Sequence, residues 1–132
     1  ASNSLYFIYD TIDPTVVLSS SVTYYTNVAP IPVTAVFSSE MVGFVQNDVT
    51  ITATSAAISS FTVVTTSQYT MNILPAMASG EGAIDVQIAS AVATDPAGNS
   101  NLQSSLLQFY FDTVAPTVDI TTTSPTFTAS NP

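Results

Sequence analysis

Val49-Thr50-Ile51-Thr52-Ala53 and Ile84-Asp85-Val86-Gln87-Ile88 alternate apolar and polar side chains with a period of two. That alternation places one set of side chains on a buried face and the other in water, as a half-buried β-strand requires. Residues 15–19 read as a short strand after a proline turn, and Val33-Thr34-Ala35-Val36-Phe37 as another after the Pro30/Pro32 break. Residues 61–66 and 69–74 follow, separated by a Ser67-Gln68 turn, and residues 106–111 close the set. Seven strands with turn signals between them, and no segment of helical periodicity, predict an all-β, antiparallel two-sheet sandwich. The expected core is Val16, Leu18, Val33, Ala35, Phe37, Val49, Ile51, Phe61, Val63, Tyr69, Met71, Ile73, Ile84, Val86, Ile88, Leu107 and Phe109.

The two ends of the chain repeat one another. Residues 1–30 align without a gap on residues 103–132 at an offset of 102, with ten identities, among them Phe7/Phe109, Asp10/Asp112, Thr11/Thr113, Pro14/Pro116 and Val16/Val118. Tyr9/Phe111, Ile12/Val114, Leu18/Ile120 and Tyr25/Phe127 are conservative pairs. A fixed period of this length implies domain-sized modules in tandem. The expected organisation is a spare strand over residues 1–10, equivalent to a module's last strand, then a sandwich module over 11–112. Residues 113–132 then supply a linker and the spare first strand of a following module. Isolated strands expose unpaired backbone, so Leu5, Phe7, Tyr9, Val118, Ile120 and Phe127 are expected to meet a neighbouring module or subunit.

Composition narrows the function. The 132 residues include no Lys, Arg or His and nine acidic residues, for a net charge of −9. Without cations the chain cannot neutralise phosphates, which excludes nucleic acid as a partner, and it is ill suited to anionic lipid. No stretch approaches the roughly 20 apolar residues of a membrane span. Ser and Thr number 38, yet the 46% hydrophobic content argues against disorder. With no Cys there is neither a disulfide scaffold nor a thiolate metal site. The lack of Lys and Arg also removes every trypsin-type cleavage site, which suits a protease-exposed surface, and in a secreted protein this would be the mature form or an excised piece.

Four motifs carry a family resemblance. Val36-Phe37-Ser38-Ser39-Glu40-Met41-Val42-Gly43-Phe44 is followed by Asn47-Asp48-Val49-Thr50-Ile51, then by Ala93-Thr94-Asp95-Pro96-Ala97-Gly98-Asn99, then by Asp112-Thr113-Val114-Ala115-Pro116-Thr117-Val118. Together, over residues 10–118, they resemble the bacterial Ig-like repeat domains of extracellular adhesins and surface fibres. The resemblance implies tandem Ig-like sandwiches, a non-catalytic role and an extracellular or cell-surface location. The chain departs from the family pattern at Asp13, where its second copy has Ala115, and in its lack of Lys and Arg.

Chemistry-bearing sets are few. Without His, Cys or Lys, no Ser-His-Asp, Cys-His or Lys-nucleophile arrangement can be built. Hard oxygen ligands suit calcium, and Asp95, Asn99 and Asn101 on one loop, with Asp112, Asp10 and Asp13 at the module junctions, form the candidate set. No other cofactor is required. The alternative for residues 95–99 is a plain turn, with Asp95 capping and Gly98 left-handed. Glu40 and Asp48 are read as caps of loop amides. Thr121, Thr122, Thr123, Ser124 and Thr126 form a candidate O-glycosylation stretch. The aromatic run Tyr6-Phe7-Tyr9 and its copy Phe109-Tyr110-Phe111, with Tyr24-Tyr25, offer a platform for stacking on sugars, the alternative being that the last-strand aromatics face the core or a neighbouring subunit. The expected function is a structural module of a filament or adhesin stalk whose partners are copies of itself or adjacent modules. The alternative is a glycan-binding module that uses exposed tyrosines on surface glycans.

Overall fold

The computed structural model describes residues 2–123 and is a sandwich of two four-stranded sheets. One sheet has the order β1 (Val16–Ser19), β3 (Ile31–Phe37), β6 (Gln68–Pro75), β5 (Ala56–Thr65). The other has the order β2 (Tyr25–Thr26), β8 (Leu107–Asp112), β7 (Glu81–Ile88), β4 (Val49–Ala53). Every pairing is antiparallel except β2 on β8. This is the strand order of a constant-type immunoglobulin sandwich, with the first strand split. β1 pairs in one sheet, and the chain then crosses so that β2 pairs in the other. A single three-residue 3₁₀ turn, Gln46–Asp48, completes the regular structure among the described residues.

The alternation seen in the sequence sets the core. Val33, Ala35 and Phe37 point inward from β3, Tyr69, Met71 and Ile73 from β6, and Ile84, Val86 and Ile88 from β7. Their partners face outward, and Ser19, Thr34, Thr70 and Thr62 stand in one row across four strands through successive register pairs. One end of the core is aromatic. Phe44 packs edge-on against Phe37 and Tyr69 at centroid distances of 4.9 and 4.8 Å, and Phe61 stacks on Tyr69 at 5.8 Å. The buried Tyr69 hydroxyl donates to the Thr66 carbonyl at 3.0 Å, and burial pushes its pKa up, so it remains a donor.

Several expectations change. There are eight strands, because the split first strand adds β2, and two residues without apolar alternation leave no periodic signal. β3 begins at Ile31 and contains Pro32, which is tolerated because it lies past the end of β1, where only β6 flanks it. Val63 is half exposed despite facing Tyr69, because β5 is the outermost strand of its sheet. Irregularities between Ile58 and Ser60 and between Val63 and Thr65 also break the register of β5. Leu18, Ile51, Phe61 and Leu107 are only partly buried, whereas Ile31, Met41, Phe44, Ala93 and Phe111 join the core. Phe44 and Met41 reach it from a loop, which strand periodicity cannot register.

This ranking gives a direct check. Phe44→Ala is expected to destabilise the protein by about 3–5 kcal/mol in urea unfolding. Val63→Ala should stay within about 0.5 kcal/mol of the parent. Similar losses for both would contradict the burial described.

Candidate functional site

The two Asp-Thr segments that the sequence repeat pairs lie at opposite ends of β8. Residues 10–15 run beside the loop that precedes β8, and Asp112 ends that strand, which itself spans about 17 Å at ~3.3 Å per residue. Both aspartates make the same local turn. Asp10 Oδ1 accepts from the Ile12 amide at 2.9 Å, and Asp112 Oδ1 accepts from the Val114 amide at 2.8 Å. The sequence repeat is therefore also a repeat of this aspartate-to-amide bond.

At the first pole the organising side chain is Asp95, only 2% exposed. Its carboxylate accepts from the Asn99 amide at 2.9 Å and from Asn99 Nδ2 at 3.0 Å, with Gly98 left-handed at φ +94° as the turn requires. Hydrogen bonding from the Asn99 side chain is the main cause that holds its pKa below the usual aspartate value, against an opposing push from burial. The second Asn99 Nδ2 hydrogen reaches the Asp10 carbonyl at 3.0 Å. Leu102 N donates to the carbonyl of Pro14, which is buried, and Thr15 N donates to Ser38 Oγ at 2.9 Å. Val42 and Thr94 exchange backbone bonds, tying the Phe37–Phe44 loop to the same place.

Asn101 sits apart from this set as a staple. Its Oδ1 accepts from the Val92 and Ala93 amides, both at 3.0 Å, and its Nδ2 donates to the Ala89 and Leu102 carbonyls. It thereby holds a bend in which Ala91 is left-handed at φ +59°, a conformation that costs an alanine about 1–2 kcal/mol. Of the candidate calcium ligands, Asp95 and Asn99 meet each other and the Asp10 backbone. Asp13 is exposed, and Asp112 lies at the far pole. Among the described residues, no group of three acidic side chains is placed to hold a metal ion. Asp48 caps the Val45 amide at 2.8 Å, as expected, while Glu40 is exposed.

At the second pole Thr113 is held by a glycine turn, its amide and hydroxyl both donating to the Gly80 carbonyl at 2.9 Å. Beside it, Tyr25 packs edge-on against Tyr24 and Tyr110, at 4.8 and 5.9 Å. The Tyr110 hydroxyl lies 3.3 Å from Glu81 Oε2, and that negative charge is the main cause raising its pKa. Tyr25, Asn27 and Asp112 line a shallow open groove alongside β2.

The predicted assembly residues are bare. Leu5, Phe7 and Tyr9 are 79, 86 and 92% exposed, Val118 and Ile120 are 85 and 89% exposed, and neither segment joins a sheet of the chain. Thr121, Thr122 and Thr123 are exposed, whereas Ser124, Thr126 and Phe127 lie outside the described residues.

A family model described as a bacterial Ig-like domain matches residues 10–110. No curated protein and no solved structure matches the chain.

The lowered pKa of Asp95 predicts an acid dependence. Its contribution to stability is complete above the ordinary aspartate pKa of about 3.9 and is lost as the pH falls through its own lower value. Asp95→Asn should melt below the parent at neutral pH, and the gap between the two should close as the pH falls below about 3.9. A gap independent of pH in thermal melts would show that the carboxylate is not the stabilising group.

Proposed function

The chain belongs to the bacterial Ig-like domain family, and on that premise we propose that it is a structural, non-enzymatic module of an extracellular filament or adhesin stalk, built from tandem repeats. The observation that carries this reading is a contrast between twins. Phe109 is 1% exposed and Phe111 7%, yet their counterparts 102 residues earlier, Phe7 and Tyr9, are almost fully exposed. Val16 is 7% exposed and its counterpart Val118 is 85% exposed. The module already has its own β1 and β8, so residues 4–9 and 117–123 are surplus to it. Their side chains are those of a last and a first strand, suited to the cores of a preceding and a following module. Pairing of adjacent repeats explains this more directly than strand exchange, which would have to displace a strand already in place.

The reading is tested by adding a repeat. Phe7→Ala in the present chain should change stability by less than about 0.5 kcal/mol. With a further repeat placed upstream, the same substitution should cost about 3–5 kcal/mol, because Phe7 would then occupy the Phe109 position. Equal, small effects in both contexts would remove the basis for the stalk.

The three-tyrosine cluster favours a second reading, recognition of surface glycans by the face bearing β2 and β8. Tyr25 is 72% exposed, and Glu81, Asp112 and Asn27 stand nearby as hydrogen-bonding groups. Such a site predicts saturable binding on a glycan array that Tyr25→Ala abolishes with the fold intact, and no binding by the parent protein would eliminate it.

A further inference from the structure

The two poles hold different halves of the same linker. At the second pole, the module grips Thr113 through Gly80. A Cβ at Gly80 would stand 3.1 Å from Thr113 Oγ1 and 3.5 Å from Val114 Cγ2, so the linker lies directly on the turn. At the first pole, the module grips the Asp10 carbonyl through Asn99, Pro14 through Leu102 and Thr15 through Ser38. Among the described residues, Thr11, the counterpart of Thr113, has no such bond to the module there, and Ile12 bonds only Asp10, while Pro116 is exposed at the other pole although its counterpart Pro14 is buried at the first. Each pole therefore leaves free what the other one holds.

The aspartate turn is common to both poles. We infer that the segment Asp112–Pro116 between adjacent repeats is clamped from both sides and fixes the orientation of one module on the next. The preceding module would supply the Gly80 turn to Thr113 and Val114. The following module would supply Asn99 to the Asp112 carbonyl and Leu102 to that of Pro116. The partner is another copy of this repeat, met through the Asp95–Asn99 loop on one side and the Met77–Gly80 turn on the other. Every donor in the clamp is a neutral amide or hydroxyl, so the joint needs neither a salt bridge nor a metal ion. This inference rests on the tandem reading above, but it goes further, since tandem modules on a loose linker would satisfy that reading equally well.

Joining residue 116 to residue 15 of a second copy lengthens the chain by one repeat while keeping the register. Because the sequence lacks cysteine, Thr62→Cys in each copy provides one pair of spin labels on exposed outer-face positions. Pulsed electron–electron resonance should then return a single narrow distance distribution, unchanged by chelator. Asn99→Ala in the second copy should broaden it, and so should Thr113→Val in the first, with both copies still melting cooperatively. A broad distribution in the parent, or one unaffected by both substitutions, would overturn the clamp while leaving the tandem stalk standing. Broadening on chelation alone would overturn it in favour of a metal-held joint. Failure of the added copy to melt as a folded unit would remove the tandem reading and the clamp together.

Discussion

A carboxylate buried in a chain that has no cation must be held by neutral donors, and Asp95 is that carboxylate. Burial of an unpaired charge is costly unless hydrogen bonds favour the ionised form. Asn99 supplies two, one from its backbone and one from its side chain. This fixes the Asn99 amide plane, and its remaining hydrogen then specifies where the Asp10 carbonyl must lie. The path of the chain into β1 is thereby tied to this loop by a polar contact as well as by the apolar contacts of the strand. Asn101 anchors the base of the same loop, and the Val42–Thr94 bridge ties it to the crossover between sheets. The net charge of −9 is thus compatible with a well-ordered pole, since among the described residues no buried side-chain polar atom lacks a partner.

Hydrogen bonds mark both sides of the split in the first strand. After Ser19 the chain leaves β3, and Ser20 bonds the Pro32 carbonyl beyond the end of β1. The chain then crosses to β8, where the Tyr110 amide donates to Tyr24 and a short parallel pairing forms at Tyr25 and Thr26. One segment therefore closes an edge in each sheet. The crossing also turns Tyr24 and Tyr25 outward beside Tyr110, so the tyrosine cluster is a by-product of topology as much as of composition.

Much of this was legible in the sequence, for identifiable reasons. β3, β4, β6 and β7 bury one face each, so their period-two patterns map directly onto the sandwich. β2 escaped because two residues cannot display a period. Phe44 and Met41 escaped because loop residues enter the core by geometry that only the folded chain defines. Val63 misled because alternation reports which face a residue takes but not whether anything covers that face, and β5 stands at an edge. At the first pole, Asp95, Gly98 and Asn99 were readable as a turn. The bond from Asn99 to the backbone of residue 10 spans 89 positions and carries no local signature. Asn101 neighbours Asp95 and Asn99 in sequence, whereas its amide is taken up by the backbone of Ala89, Val92, Ala93 and Leu102.

The irregularities of β5 bear on colloidal behaviour. Proteins commonly discourage edge-to-edge sheet growth by placing lysines on their outer strands. This chain has none and a positive mean hydropathy of +0.41, so that route is closed. Its outer strands are β1, β5, β2 and β4. Three of them run for only four, two and five residues, and the ten-residue β5 is broken twice. A broken edge presents its free amides out of step with any straight strand, so an approaching copy cannot zip along it. Crowded laterally, such modules would slide past one another rather than fuse, with backbone shape in the part that charge plays elsewhere.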